Sequence, residues 1–174
     1  MWATCAGTVS SAGGNHGQIN RPIQPMENIT TVDVILKSKG RDIWSVTPQT
    51  LVYDALKLMA EKNVGALLVL EEGKLVGIVS ERDYARKVAL LGRNSRVLAV
   101  REILTEAVYT VTRESTIREC MKKMTDKRVR HLPVVEGGQL VGIVSIGDVM
   151  NWLTSAQRAA IDQLQAYIAG GYPV

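Results

Sequence analysis

The chain has 174 residues and a mass of 19.0 kDa, room for one ordinary domain or two very small ones. Hydrophobic residues make up 46% and charged residues 22%, which excludes a disordered polymer, and no apolar run approaches the ~18 residues that a membrane-spanning helix needs. Lys and Arg outnumber Asp and Glu by 21 to 17, a formal charge of +4 with a pI near 9.2, a mildly basic balance that suits small anionic ligands as readily as nucleic acid. Aromatic residues are only 5%, with no Phe; the core must be aliphatic, and a nucleic-acid binder that stacks bases is not expected.

Residues 1–27 are mostly Gly, Ser, Thr, Ala and Asn without apolar periodicity, the composition of a disordered leader or extension. Neither the basic start nor the apolar stretch of a secretory signal is present, while the scarcity of acids leaves organellar targeting open. Met26 is an alternative start. Cys5 and Cys120 lie 115 positions apart and form no C-x-x-C pair, so neither a disulfide framework nor a zinc ribbon is expected. A reducing, cytoplasmic setting fits best, with Cys120 a small buried residue on a helix.

An internal repeat organises the remainder. Shifting the chain by 65 positions lays Leu75-Val76-Gly77-Ile78-Val79-Ser80 on Leu140-Val141-Gly142-Ile143-Val144-Ser145, Asp83 on Asp148 and Met59 on Met124. Between Ile43 and Asp83, 17 of 41 positions are identical without a gap, where chance gives about two or three. The boundaries read as repeat one over 28–92, repeat two over 93–155 and a helical extension with a tail over 156–174.

In chain order, each repeat predicts a short strand (43–46, 108–111), a helix capped by Thr50 or Ser115, a strand (66–70, 132–135), a Gly-bearing turn (71–74, 136–139), a strand (75–79, 140–144) and a helix starting at Ser80 or Ser145. Val52, Ala55, Leu56 and Met59 recur at helical spacing, as do Ile117, Cys120, Met121 and Met124, so each first helix buries one face. The last helix is expected to run to about Ile168, with Gly170, Gly171 and Pro173 ending it. A unit of roughly sixty residues buries too little surface to stand alone. The expected class is therefore α/β (α+β), two β-α-β-β-α repeats packed with pseudo-two-fold symmetry and two clefts where they meet.

These residues resemble a tandem pair of cystathionine-β-synthase-type (CBS) domains, a Bateman module. The family's hairpin signature, Gly-h-h-Ser/Thr-x-x-Asp, is seen in Gly77-Ile78-Val79-Ser80-Glu81-Arg82-Asp83 and Gly142-Ile143-Val144-Ser145-Ile146-Gly147-Asp148. Its h-Pro-Val-h strand is seen in Leu132-Pro133-Val134-Val135, whereas the first repeat has Ala66-Leu67-Leu68-Val69, with no proline. The resemblance covers about residues 30–155, and the tail over 164–172 resembles stand-alone single-pair proteins of bacteria and plant organelles. It implies a non-enzymatic regulatory module for an adenine nucleotide (AMP, ADP, ATP or NAD; S-adenosylmethionine less readily). It also implies a homodimer, with Trp152, Tyr167 and Ile168 at the interface, signalling to an unknown regulated protein. No catalytic barrel of ~250 residues is present.

By the same resemblance, Asp83 and Asp148 accept hydrogen bonds from ribose hydroxyls, with Ser80 and Ser145 beside them; Ser-x-x-Asp is equally a capping box, and the roles can coexist. Ile78 and Ile143 line the adenine pocket, Ile43 and Val108 offer backbone groups to the base, and Gly65 and Ala66 leave space, although ordinary sheet packing accounts for these residues too. Lys127-Arg128-Val129-Arg130-His131 faces Lys62-Asn63-Val64-Gly65-Ala66 in the alignment. Arg130, His131 and Arg128, with Arg82, Lys39 and its neighbours Lys37 and Arg41, are phosphate candidates; a solvated basic helix end is the competing account. No catalytic motif occurs, and with only His16 and His131 a metal site lacks ligands. The alternative function is a ligand-independent interaction protein, for example one in redox control through a thioredoxin-type partner. Nucleic-acid binding rests on the pI alone, and a membrane role on nothing.

Overall fold

A computed structural model describes residues 30–40 and 42–169. The leader, Cys5, His16, Arg41 and residues 170–174 lie outside the described residues.

The first element, helix α1 (Val32–Lys39), was not foreseen from the repeat. Repeat one follows as β1 (Ser45–Val46), α2 (Val52–Lys62), β2 (Ala66–Glu71), β3 (Lys74–Ser80) and α3 (Glu81–Tyr84), which continues as a π turn over Ala85–Ala89. A 3₁₀ turn (Val100–Glu102) leads into repeat two: α4 (Ile117–Lys127), β4 (His131–Glu136), β5 (Gln139–Ser145) and the 24-residue α5 (Ile146–Ala169). Each hairpin is antiparallel in matching register, Leu68 facing Ile78 and Pro133 facing Ile143.

The two sheets differ at their first strand. β1 lies parallel to β2, and the Leu68 N–H donates to the Trp44 carbonyl at 3.2 Å. Pro133 occupies Leu68's place and has no N–H to give. The strand expected over 108–111 accordingly contracts to one bridge, Val111 beside Val134, held by Val111 N–H to Pro133 O at 3.0 Å and Val135 N–H to Val111 O at 2.9 Å. The strand expected over 43–46 keeps only its last two residues.

The expected helix caps shift by one position. Leu51 and Thr116 are the N-caps, and only Thr116 closes a capping box, with Glu119. The Thr50 and Ser115 hydroxyls instead accept from the Thr47 and Thr112 N–H groups at 3.1 Å each. Their carbonyls anchor distant segments: Thr50 O receives Val100 N–H at 2.8 Å and Ser115 O receives Val32 N–H at 2.9 Å.

Those two bonds reveal a reciprocal exchange. Residues 32–36 read Val-Asp-Val-Ile-Leu and residues 100–104 read Val-Arg-Glu-Ile-Leu. Val32, Ile35 and Leu36 of α1 complete the core of repeat two, beside Ile117, Cys120, Met124, Leu132 and Val144. Val100 and Ile103 complete the core of repeat one, beside Val52, Met59, Leu67 and Val79. Each fully buried aliphatic side chain contributes about 1.5–3 kcal/mol, so each repeat owes part of its stability to a segment that precedes the other in the chain. Trp152, expected at a dimer interface, packs against the core of repeat two.

Candidate functional site

The hairpin aspartates take the positions the motif implies, and both are caps. At Asp83, Oδ2 accepts from Ser80 N–H at 3.1 Å and Ser80 Oγ at 2.6 Å, while Asp83 N–H donates to Ser80 Oγ at 3.3 Å. At Asp148, Oδ2 accepts from Ser145 N–H at 2.7 Å and Ser145 Oγ at 2.8 Å. The second oxygen of Asp83 is engaged as well: Oδ1 receives Thr105 Oγ1 at 3.2 Å and Lys87 Nζ at 3.0 Å. Lys87 belongs to the π turn, which inserts an extra residue into the helix; its ammonium also donates to the Ile103 and Leu104 carbonyls at 2.5 and 3.3 Å. It thereby ties the helix after the hairpin to the segment that enters from repeat two.

A cavity of about 650 Å³ opens over Asp83. Its floor is Gly65, Ile78, Ser80 and Asp83 of repeat one, and one wall is the incoming segment, Thr105 to Tyr109 including Val108. The rim is basic, with Arg82 and Arg86 from one repeat and Arg128, Arg130 and His131 from the other. Nine residues expected at a site are thus gathered in one place. Thr105, Arg86, Lys87, Ala107 and Tyr109 were not anticipated. Thr105 and Ala107 precede the strand expected over 108–111 and Tyr109 lies within it, but that signal assigns no side chain to a cavity, and the π turn that presents Arg86 and Lys87 has no periodic signal.

Six other expected residues do not line this cavity. Ala66 is buried in its sheet, while Ile43, Ile143, Ser145 and Asp148 belong to the symmetry-related position. There Lys39, expected at a phosphate, instead donates to Asp148 Oδ2 at 2.7 Å. α1 is longer than its counterpart, the 3₁₀ turn at Val100–Glu102, and delivers a lysine to the capping oxygen of Asp148, whereas in repeat one Thr105 and Lys87 meet the other oxygen of Asp83. Lys37 pairs instead with Asp33 at 2.6 Å.

Electrostatics follow the geometry. Burial pushes the Asp148 carboxyl up, but the hydrogen bonds from Lys39 and Ser145 outweigh it and hold the group below its ordinary range. Burial holds His131 below the usual imidazole value, aided by Lys39, Arg130 and Arg82 and opposed by Asp148. Burial likewise pushes the Cys120 thiol up to about 11. Among the described residues no cluster of His, Cys, Asp and Glu could hold a metal ion, and no helix is long and apolar enough to cross a membrane.

Two hairpin-and-helix repeats that exchange their leading segments around a cleft with an aspartate at its base define a tandem CBS domain pair. The chain belongs to the CBS-domain family: the CBS domain model matches it twice, over residues 33–90 and 100–155. It is 43% identical over 153 residues to the CBS domain-containing protein CBSX3, mitochondrial, of Arabidopsis thaliana, covering 82% of this chain and 74% of that one. A solved protein with CBS domains from Burkholderia ambifaria is 51% identical with a TM-score of 0.72, covering 74% of this chain and 96% of its own. The CBS domain pair of protein MJ0100, solved with 5′-methylthioadenosine and S-adenosyl-L-methionine, is 26% identical with a TM-score of 0.64, covering 73% and 98%.

Proposed function

We propose that the protein is a non-enzymatic regulatory module that binds an adenine nucleotide in the Asp83 cavity and signals to a partner through the relative placement of its two repeats. The observation that carries this reading is the construction of the cavity: a carboxylate at the base, apolar Ile78 beside it and Val108 in one wall, and guanidinium groups contributed by both repeats. In this reading the ribose hydroxyls displace Thr105 and Lys87 from Asp83 Oδ1, the base lies against Ile78 and Val108, and the phosphates meet the basic rim. A ligand that touches both repeats favours one arrangement of them, and that differential affinity is what a partner senses. The adenosine ligands of the MJ0100 pair support the ligand class.

The C-terminal half of α5 supports a homodimer. Ile161, Leu164 and Ile168 are spaced three and four residues apart and are 52%, 63% and 78% exposed, a stripe of the kind a second helix covers. Cys120 lends no support to a thiol exchange with a thioredoxin-type partner, since it is fully buried with a raised pKa.

A thermal-shift panel with AMP, ADP, ATP, NAD, NADH and S-adenosylmethionine tests the reading. A ligand at 100 times its dissociation constant stabilises by about 2.7 kcal/mol. The shift is expected to vanish in Asp83→Asn, which retains an oxygen for the cap, and to persist in Asp162→Asn on the exposed part of α5. No shift with any of the six overturns it.

A further inference from the structure

We infer that the cleft selects an adenine nucleotide carrying a pyrophosphate, as in a nucleoside diphosphate, a triphosphate or a dinucleotide, over a nucleoside monophosphate or a cationic adenosine derivative. This rests on the nucleotide reading above and extends it to the ligand class.

A second hollow of about 500 Å³ adjoins the Asp83 cavity, floored by Met124, Thr125 and Ile146. The two hollows share Arg82, Arg86, Arg128, Val129 and Arg130. The arginines therefore line a path that leads out of the nucleoside cavity, rather than a single point beside it.

None of these four guanidiniums forms an ion pair among the described residues. Arg93 and Arg113 do find carboxylates, Glu102 at 2.6 Å and Asp33 at 3.1 Å. Arg82 Nη1 donates to the Arg128 carbonyl at 3.0 Å, which binds the two pairs of arginines to each other across the repeats. Glu81, the carboxylate lining the cavity besides Asp83, lies 3.6 Å from where a Cβ on Gly65 would stand and forms no ion pair with these arginines among the described residues. A lone phosphate sits at a single point, whereas the four guanidiniums are spread along two adjoining hollows. A pyrophosphate, with its longer array of acceptors, can meet the pair from each repeat.

The backbone at Arg128 points the same way. It caps α4 at φ 53°, in the left-handed region, where repeat one has Asn63 at φ 52°. Asn tolerates that conformation better than Arg. Repeat two thus carries the less comfortable residue at a place where its side chain reaches the shared rim. A sulfonium cation brought to the same rim meets like charge and gains nothing from it.

Calorimetric titration of the full chain with ADP, ATP, NAD, AMP, adenosine and S-adenosylmethionine tests the inference. ADP, ATP and NAD are expected to bind about tenfold or more tightly than AMP, with S-adenosylmethionine weaker than AMP. Arg128→Asn restores the residue of repeat one, so its melting temperature should equal or exceed that of the parent. It should nonetheless lower ADP affinity about tenfold while changing AMP affinity less than about threefold. Arg86→Gln should behave alike from the other repeat. Equal affinities for AMP and ADP, S-adenosylmethionine binding as tightly as ADP, or an unchanged ADP affinity in both variants overturns the inference while leaving the nucleotide reading intact. Failure of every adenosine compound to bind overturns both.

Discussion

Leu36 packs onto the bare backbone of Gly142: a Cβ at that glycine would lie 2.7 Å from Leu36 Cδ2 and 3.1 Å from Cδ1. Leu104 covers Gly77 in the same manner. The two contacts are related by the repeat symmetry, and each seats an exchanged segment on the hairpin it completes. Gly142→Ala should cost about 1–3 kcal/mol, the usual range for overpacking. Leu36→Ala should cost about 2–5 kcal/mol by itself and relieve the alanine's penalty in the double variant, which urea denaturation of all four proteins will show. Gly77→Ala should be less well rescued by Leu104→Ala, because the Thr105 carbonyl also stands 3.1 Å from the added methyl.

Lys39 pairs with Asp148 through Oδ2, the oxygen that also receives Ser145 N–H and Ser145 Oγ. Both side chains of the pair are under a third exposed, 29% and 22%, and Lys39→Ala should destabilise by about 1 kcal/mol at neutral pH. Asp148 is held below its ordinary value of 3.8 in the folded state. The stability it supplies is therefore present above that value and lost as pH falls through the folded one. The parent and variant should differ at pH 7 and converge in acid, as followed by thermal melts across pH.

Burial, aided by the neighbouring cations, holds His131 below the ordinary imidazole value of 6.5. The unfolded chain therefore binds a proton before the folded one does, and stability should decline as pH drops through 6.5 toward the folded value. Bound phosphates offset the cations Arg130 and Arg82, raise His131 and draw in a proton, so nucleotide affinity should rise over the same interval. Melting temperature and affinity measured from pH 5.5 to 8 should move in opposite directions, and His131→Gln should flatten both profiles.

Cys120, with no exposed surface and a thiol near 11, should resist iodoacetamide at pH 7.5 in the native protein and react on denaturation. Peptide mapping will separate its adduct from that of Cys5. Rapid native labelling of Cys120 would contradict its burial.

Much of this was legible in one sequence because the chain describes itself twice. Identities at Leu75 to Ser80 and Leu140 to Ser145 place the hairpins, and the Ser-x-x-Asp spacing places each aspartate at its cap. These are local constraints, expressed within a few residues. Gly65, Ile78, Asp83, Val108, Arg130 and His131 were named on the strength of the resemblance, and the fold brings them to one cavity.

What escaped the sequence is what depends on contacts between distant segments. α1 is too short for periodicity to announce it, and its apolar face is explained only by the core of repeat two, about eighty positions later. Pro133 was visible, but its effect is the loss of one inter-strand donor to a segment whose pairing had first to be known. Lys39 was expected at a phosphate, and only the folded chain carries it to a carboxylate 109 positions away. Local propensity and repetition determined the elements and their order. Which segment completes which core, and so which groups meet each of the two aspartates, was decided by long-range packing and charge.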